Sequence, residues 1–171
     1  MSEFHQADLS IEREGIQELF SEYLQWMNLK VSDKLGIGFD VKAKVNEDMA
    51  DLQVFTPPNG RIILATVDKG LAGIGCLKMT GKQVGEVKRM YVRPFFRRRG
   101  IGRRLLEAVI DEATTMGSRI LRLESAWFME EAQSLYRSCG FKEISPYQGT
   151  EVPGELHHLW LFMEKDLVSE I

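Results

Sequence analysis

The feature that most constrains this chain is a run of three β-prone segments joined by very short turns. Arg61 to Val67 is rich in isoleucine, leucine and valine. Leu71 to Met79 follows after Asp68-Lys69-Gly70, and Val84 to Val92 follows after Thr80-Gly81-Lys82-Gln83. Turns this short force antiparallel neighbours, because a parallel pair needs a crossover of a dozen or more residues. The chain therefore builds a meander at its centre. After Pro94 the period changes: a helix is predicted from about Gly100 to Met116, striped by Ile101, Leu105, Ala108, Val109 and Ala113 and closed by Gly117. Arg119 to Glu124 reads as a strand, Glu130 to Ser138 as a short helix stopped by Gly140, and Phe141 to Ile144 as a short strand. A polar loop with Pro146, Gly149, Pro153 and Gly154 leads to a last strand from His158 to Lys165. Ahead of the meander, Ile11 to Met27 has Ile16, Leu19, Phe20, Tyr23 and Leu24 at helical spacing, with Asp8 or Ser10 as cap. A weaker helix from about Ala43 to Val54 ends at Thr56-Pro57-Pro58-Asn59-Gly60. This order predicts an α/β sandwich, a mixed and mostly antiparallel sheet with helices on both faces.

The 171 residues suit one domain with its own core. No stretch approaches the roughly 18 apolar residues of a membrane span, and Met1 to Asp8 lack the basic-then-apolar pattern of a secretory signal. Cys76 and Cys139 are too few for a disulfide framework, and no Cys/His cluster has zinc spacing. A reducing, cytoplasmic setting without membrane or metal is expected. Lysines and arginines number 22 against 25 acids, a net charge of -3, which carries no overall nucleic-acid signature.

The informative segment is the turn from the third strand into the next helix. Arg97, Arg98 and Arg99 precede Gly100-Ile101-Gly102, and Arg103 and Arg104 follow. Glycine lets backbone approach a ligand, and the free N–H groups of a helix N-terminus attract an anion. A basic cluster alone is ordinarily a solvated face. Cations in a helix's first turn oppose its dipole unless an anion sits among them, so strand, basic turn, Gly-x-Gly and helix together point to a phosphate group. A dinucleotide reading would use Glu124 as the ribose acid. It fails because its third glycine position is Leu105, seven residues separate Val92 from Gly100, and a meander rather than a βαβ series comes before.

At these residues the chain resembles the GNAT (GCN5-related N-acetyltransferase) superfamily. Arg97-x-x-Gly100-x-Gly102 matches the family's acyl-CoA motif, supported by Met90-Tyr91-Val92 upstream and by Leu135-Tyr136-Arg137-Ser138-Cys139-Gly140-Phe141 downstream. The resemblance covers about Ile62 to Leu167. It implies a three-layer sandwich of six to seven strands, splayed between the fourth and fifth. It also implies a single acetyltransferase domain over 1–171, with 1–60 a helical acceptor-side region and 61–167 an acyl-CoA-binding core. Acetyl-CoA is the implied co-substrate, with no metal. Its pantetheine arm would lie along Met90, Tyr91 and Val92, and its pyrophosphate at Arg97, Arg98, Arg99, Gly100, Ile101, Gly102 and Arg103. Met129 departs from the asparagine frequent there, with Trp127 and Phe128 the residues to pack in its place.

The resemblance implies direct attack by a primary amine of a small molecule or peptide on the thioester in a ternary complex. A non-catalytic acyl-CoA-binding module on the same fold is the alternative. A homodimer is an assembly open to it, and no nucleic-acid partner is expected. Tyr136 stands at the family's general-acid position. Glu86 is the candidate base: four residues before Met90 and six before Val92, it is expected on the same strand face as both. Lys88 shares that face, and an ion pair with Glu86 is the competing reading. Glu124 and an ordered water chain are the other candidates for the base. The acceptor side is expected to be acidic, from Asp40, Glu47, Asp48, Glu151 and Glu155.

Overall fold

The expected meander is present, and it gains a strand at its outer edge. In the computed structural model, which describes residues 1–168, β1 (Ser2–Gln6) pairs antiparallel with β2 (Gly60–Val67), β2 with β3 (Gly70–Gly81), and β3 with β4 (Val84–Val92). The last three residues of the expected 1–171 domain lie outside the described residues. Asp68 and Lys69 both take positive φ, 49° and 68°, as a two-residue hairpin loop that follows the strand twist requires. The remaining strands are β5 (Ile120–Ala126), β6 (Lys142–Ile144) and β7 (Trp160–Asp166), and the sheet order is β1-β2-β3-β4-β5-β7-β6. The region 1–60 is thus not wholly helical, because its first residues belong to the sheet.

Two helix layers cover the sheet. α1 (Leu9–Leu35) starts where Asp8 accepts a hydrogen bond from the Ser10 N–H, and it stops at Gly36, which is left-handed with φ 68°. It runs eight residues past the expected end at Met27. α2 (Val41–Ala50) is capped by Asp40 and followed by a 3-10 turn, Leu52–Phe55. Ile16, Leu19, Phe20 and Leu24 of α1 and Val45 and Met49 of α2 pack on Ile62, Leu64, Ile74, Cys76 and Tyr91 of the sheet. On the opposite face lie α3 (Ile101–Thr115) and α4 (Glu130–Ser138). Leu105, Leu106, Val109 and Tyr136 pack there with Val87, Leu121, Leu123 and Met163.

Two departures from regular pairing shape the centre of the sheet. β4 and β5 are parallel neighbours, but they pair only from Val84 opposite Ile120 to Glu86 opposite Arg122. β5 stays paired with β7 as far as Ala126, so beyond Glu86 the two central strands diverge. This is the splay between fourth and fifth strands. The second departure is a bulge in β4. Ile74 faces Tyr91 and Cys76 faces Lys88, so two steps on β3 match three on β4, and Arg89 takes φ 52°. An extra residue reverses the alternation of side chains. Val87, Met90 and Val92 pack on the α3 face, whereas Tyr91 packs under α1. The expectation that Glu86 shares a face with Met90 and Val92 is corrected by this bulge.

Candidate active site

The splay opens a cleft of about 1170 Å³ that runs from the start of α3, between β4 and β5, to the inner ends of α1 and α2. At one end the chain leaves β4 through a 3-10 turn, Pro94–Phe96, and turns sharply at Arg98 (φ 60°) and Gly100 (φ 77°) before α3 begins. A left-handed residue at the N-cap suits glycine. No side chain caps α3, so its first N–H groups stay open to an anion. Gly100, Ile101 and Gly102 line the cleft, and a Cβ on Gly102 would come no nearer than 3.6 Å to Leu135.

The arginines divide by task. Arg97 donates through Nε to the Val92 carbonyl at 2.9 Å and lies over the rings of Trp26 and Tyr91, at 5.2 and 5.7 Å. Arg98 pairs with Glu131 at 3.2 Å, and Arg103 donates to Ser138 Oγ at 2.7 Å; both line the cleft. Arg99 does not. Its guanidinium is exposed and lies over Phe95 and Phe96, at 5.1 and 5.7 Å, outside the cleft lining. Arg104 turns to β1, over Phe4 and onto Ser2 Oγ.

Midway along the cleft stands Tyr136, on α4. Its ring packs with Phe141 in the core, and it also lines the cleft. Burial pushes its hydroxyl well above the ordinary tyrosine value, so it keeps its proton at any working pH. The nearby Tyr23, from α1, is raised for the same reason, against the pull of Arg89 and Lys88. Met129 and Phe128 line the cleft as well. Phe128 meets Trp26 edge-on at 5.1 Å across the gap, and Trp127 packs instead on Trp160.

Behind the bulge is a dense charge network. Lys88 Nζ reaches Glu86 at 2.8 Å, Glu124 at 3.1 Å and Glu151 at 3.4 Å. Burial works to lower the ammonium, but the three carboxylates outweigh it and hold Lys88 above its ordinary value. Arg89 forks onto Asp48 of α2, Nε to Oδ2 at 2.7 Å and Nη2 to Oδ1 at 2.9 Å, and reaches Glu151 at 3.4 Å. Burial likewise works to raise Glu151, and Lys88, Arg89 and Lys44 overcome it, bringing the carboxyl down to about 2. Glu124 also accepts a hydrogen bond from the Thr150 hydroxyl.

The two candidate bases are separated by this geometry. Glu86 is 5% exposed, pairs with Lys88 and is absent from the cleft lining, whereas Glu124 and Glu151 are on it. Of the expected acidic acceptor side only Asp48 is internal; Asp40, Glu47, Glu151 and Glu155 are exposed, and the first three of these line the cleft. Asp48 is buried against Arg89, and Asp40 is spent on the Ala43 N–H as the α2 cap. Sequence reasoning missed Arg89, whose partner is 41 residues away, and the cleft role of Trp26. For Trp26 a signal existed: it stands three residues after Tyr23 and continues the apolar stripe of α1.

Among the described residues no group of three or more His, Cys, Asp or Glu side chains could hold a metal ion. No helix of the described residues is long and apolar enough to cross a membrane.

Comparison with known proteins gives a consistent result. A family model described as an acetyltransferase (GNAT) domain matches residues 58–143. The IAA acetyltransferase of Azospirillum brasilense is 37% identical over 129 residues, covering 75% of this chain and 82% of that protein. Among solved structures, the paia N-acetyltransferase of Thermoplasma acidophilum, in complex with coenzyme A, superposes with a TM-score of 0.73 at 18% identity, over 97% of this chain and 99% of that one. The yncA acetyltransferase of Salmonella typhimurium with acetyl-CoA gives 0.67 at 17% identity, over 98% and 94%.

Proposed function

The chain belongs to the GNAT acetyltransferase family, and from that premise we propose that it transfers an acetyl group from acetyl-CoA to a primary amine by direct attack within this cleft. The observation that carries the reading is the end of β4–β5 pairing at Glu86, which leaves a slot leading from the open helix start at Gly100 to Tyr136 and Glu124. The pyrophosphate would rest on the N–H groups of Gly100 to Arg103, with Arg98 and Arg103 beside it and Arg97 holding the strand end in place. The pantetheine arm would run along the free edge of β4 at Met90, Tyr91 and Val92, in the manner of an added strand.

Held against the thioester, the neutral amine nitrogen attacks the carbonyl carbon, and approximation supplies much of the rate. Negative charge passes to the carbonyl oxygen, for which the Met90 N–H at the bulge is the donor. The C–S bond then breaks, Tyr136 gives its proton to the departing sulfur, and the surplus proton of the amine goes to Glu124 directly or through water. Glu86 is assigned to holding Lys88 rather than to the proton transfer, because it stands outside the cleft lining.

Two measurements test this together. Acetyl-CoA should raise the melting temperature by linkage, and thiol should be released when an acceptor amine is present. Gly102→Glu should abolish the melting shift, since it sends bulk and negative charge into the cleft where the pyrophosphate would lie. A shift that survives in Gly102→Glu, or wild-type protein that acetyl-CoA does not stabilise, would overturn the assignment. Stabilisation without thiol release on any amine would leave a non-catalytic acyl-CoA-binding module.

A further inference from the structure

We propose that the acceptor is an arylalkylamine, a small primary amine on an aromatic body; this rests on the acetyl-transfer reading of the cleft. The first observation concerns the end of α1. Its earlier apolar residues, Ile16 to Leu24, are consumed by the core. Met27, Val31 and Leu35 belong to neither core cluster, yet all three line the cleft. With Trp26, Phe39 and Leu156 they give the α1–α2 side of the cleft an apolar lining that begins at Trp26, under Arg97, and extends along the end of α1. Single apolar residues at a surface need no explanation, but a row of them along a concavity marks a ligand site.

The second observation is charge. Where that wall meets the network behind the bulge, five carboxylates (Glu47, Asp48, Glu86, Glu124 and Glu151) meet three cations, Lys44, Lys88 and Arg89. The surplus is negative; Asp40, Glu47, Glu124 and Glu151 line the cleft beside Lys44, Lys88 and Arg89. An incoming ammonium is therefore drawn to that end, while its body lies on the apolar wall. Asp40 and Glu47 also line the cleft, so a polyamine is the nearest competitor, and Trp26, Met27, Val31 and Leu35 favour a compact apolar body over it. An amino sugar would leave its hydroxyls unpaired there, and the carboxylate of a free amino acid would face surplus negative charge.

The test uses the full chain with acetyl-CoA, reading released thiol. 2-Phenylethylamine and tryptamine are compared with spermidine, glucosamine, lysine and a tripeptide. The arylalkylamines should exceed the others in kcat/KM by about tenfold or more, the range a few methylenes command in an apolar pocket. Leu35→Lys, at a half-buried position outside the core, should raise KM for 2-phenylethylamine by a similar factor and leave the acetyl-CoA melting shift unchanged. Best turnover of spermidine, glucosamine, lysine or the tripeptide, or an indifferent Leu35→Lys, would overturn the proposal. So would an acetyl-CoA melting shift without arylalkylamine turnover, which leaves cofactor binding standing. Loss of the melting shift in wild-type protein would instead strike the parent reading.

Discussion

At the residue scale, the proposed chemistry divides between a hydroxyl kept protonated by burial and a carboxylate that reaches the cleft. Removing only the Tyr136 oxygen preserves its packing with Phe141. Tyr136→Phe should therefore lower kcat by about 10²–10⁴-fold, the usual share of general acid catalysis, with the acetyl-CoA melting shift retained. Wild-type turnover in that variant, with chemistry shown to limit the rate, would leave Tyr136 a packing residue. Glu124→Gln should depress kcat/KM most at low pH, where the amine arrives protonated, and the deficit should shrink as pH rises. Glu86→Gln should change the pH profile less than Glu124→Gln does, because its carboxylate is off the cleft lining and acts on Glu124 only through the Lys88 they share. An altered profile in Glu86→Gln, with none in Glu124→Gln, would exchange the two roles.

At the element scale, the bulge in β4 sets which way each side chain of the central strand points. A non-glycine residue at φ 52° is unfavourable by itself, and Arg89 is held there by its fork onto Asp48. Both side chains are buried, at 8% and 7% exposure. Asp48→Ala leaves that guanidinium without its main partner, and urea unfolding should report a loss of about 3–5 kcal/mol. A loss under about 1 kcal/mol, of the size expected for exposed pairs, would mean that water replaces Asp48 and that the bulge does not depend on α2. The turn into α3 makes a smaller demand of the same kind. Gly100 has open space around it but φ 77°, so Gly100→Ala should cost about 1–2 kcal/mol through backbone strain alone.

At the scale of the whole molecule, the charge network ties α2, β4, β5 and the loop before β7 together, and its titration should be visible in stability. The Glu151 carboxyl lies at about 2 in the folded chain against an ordinary 4.5. Its contribution is therefore complete above about pH 4.5 and disappears as pH falls toward about 2. Lys88 is shifted the other way, upward, so its contribution is complete below its ordinary value of 10.5 and is lost only as pH rises beyond it. A stability plateau between those limits is expected from this network, and Glu151→Gln should flatten the acid limb in a series of urea midpoints. An unchanged acid limb in that variant would show that Glu151 does not stabilise the fold.

The sequence by itself determined whatever depends on period and turn chemistry. The limits of β4 and α4 match those read from Val84 to Val92 and Glu130 to Ser138, and the Asp68-Lys69 hairpin and the glycine start of α3 are where local signals put them. Three things were settled only in three dimensions. β1 is a short edge strand with half-exposed and polar residues, and it exists because β2 offers it an edge. The last turns of α1 carry Met27 and Leu35, which line a cavity and join neither core cluster, so their pattern alone could not say what they face. The face of Glu86 relative to Met90 depends on one extra residue in β4, at which Arg89 pairs with Asp48, 41 positions away in the chain. Alternation along a strand is a local rule, and a bulge overrides it, because the register of a sheet is a property of two strands and of what packs on them.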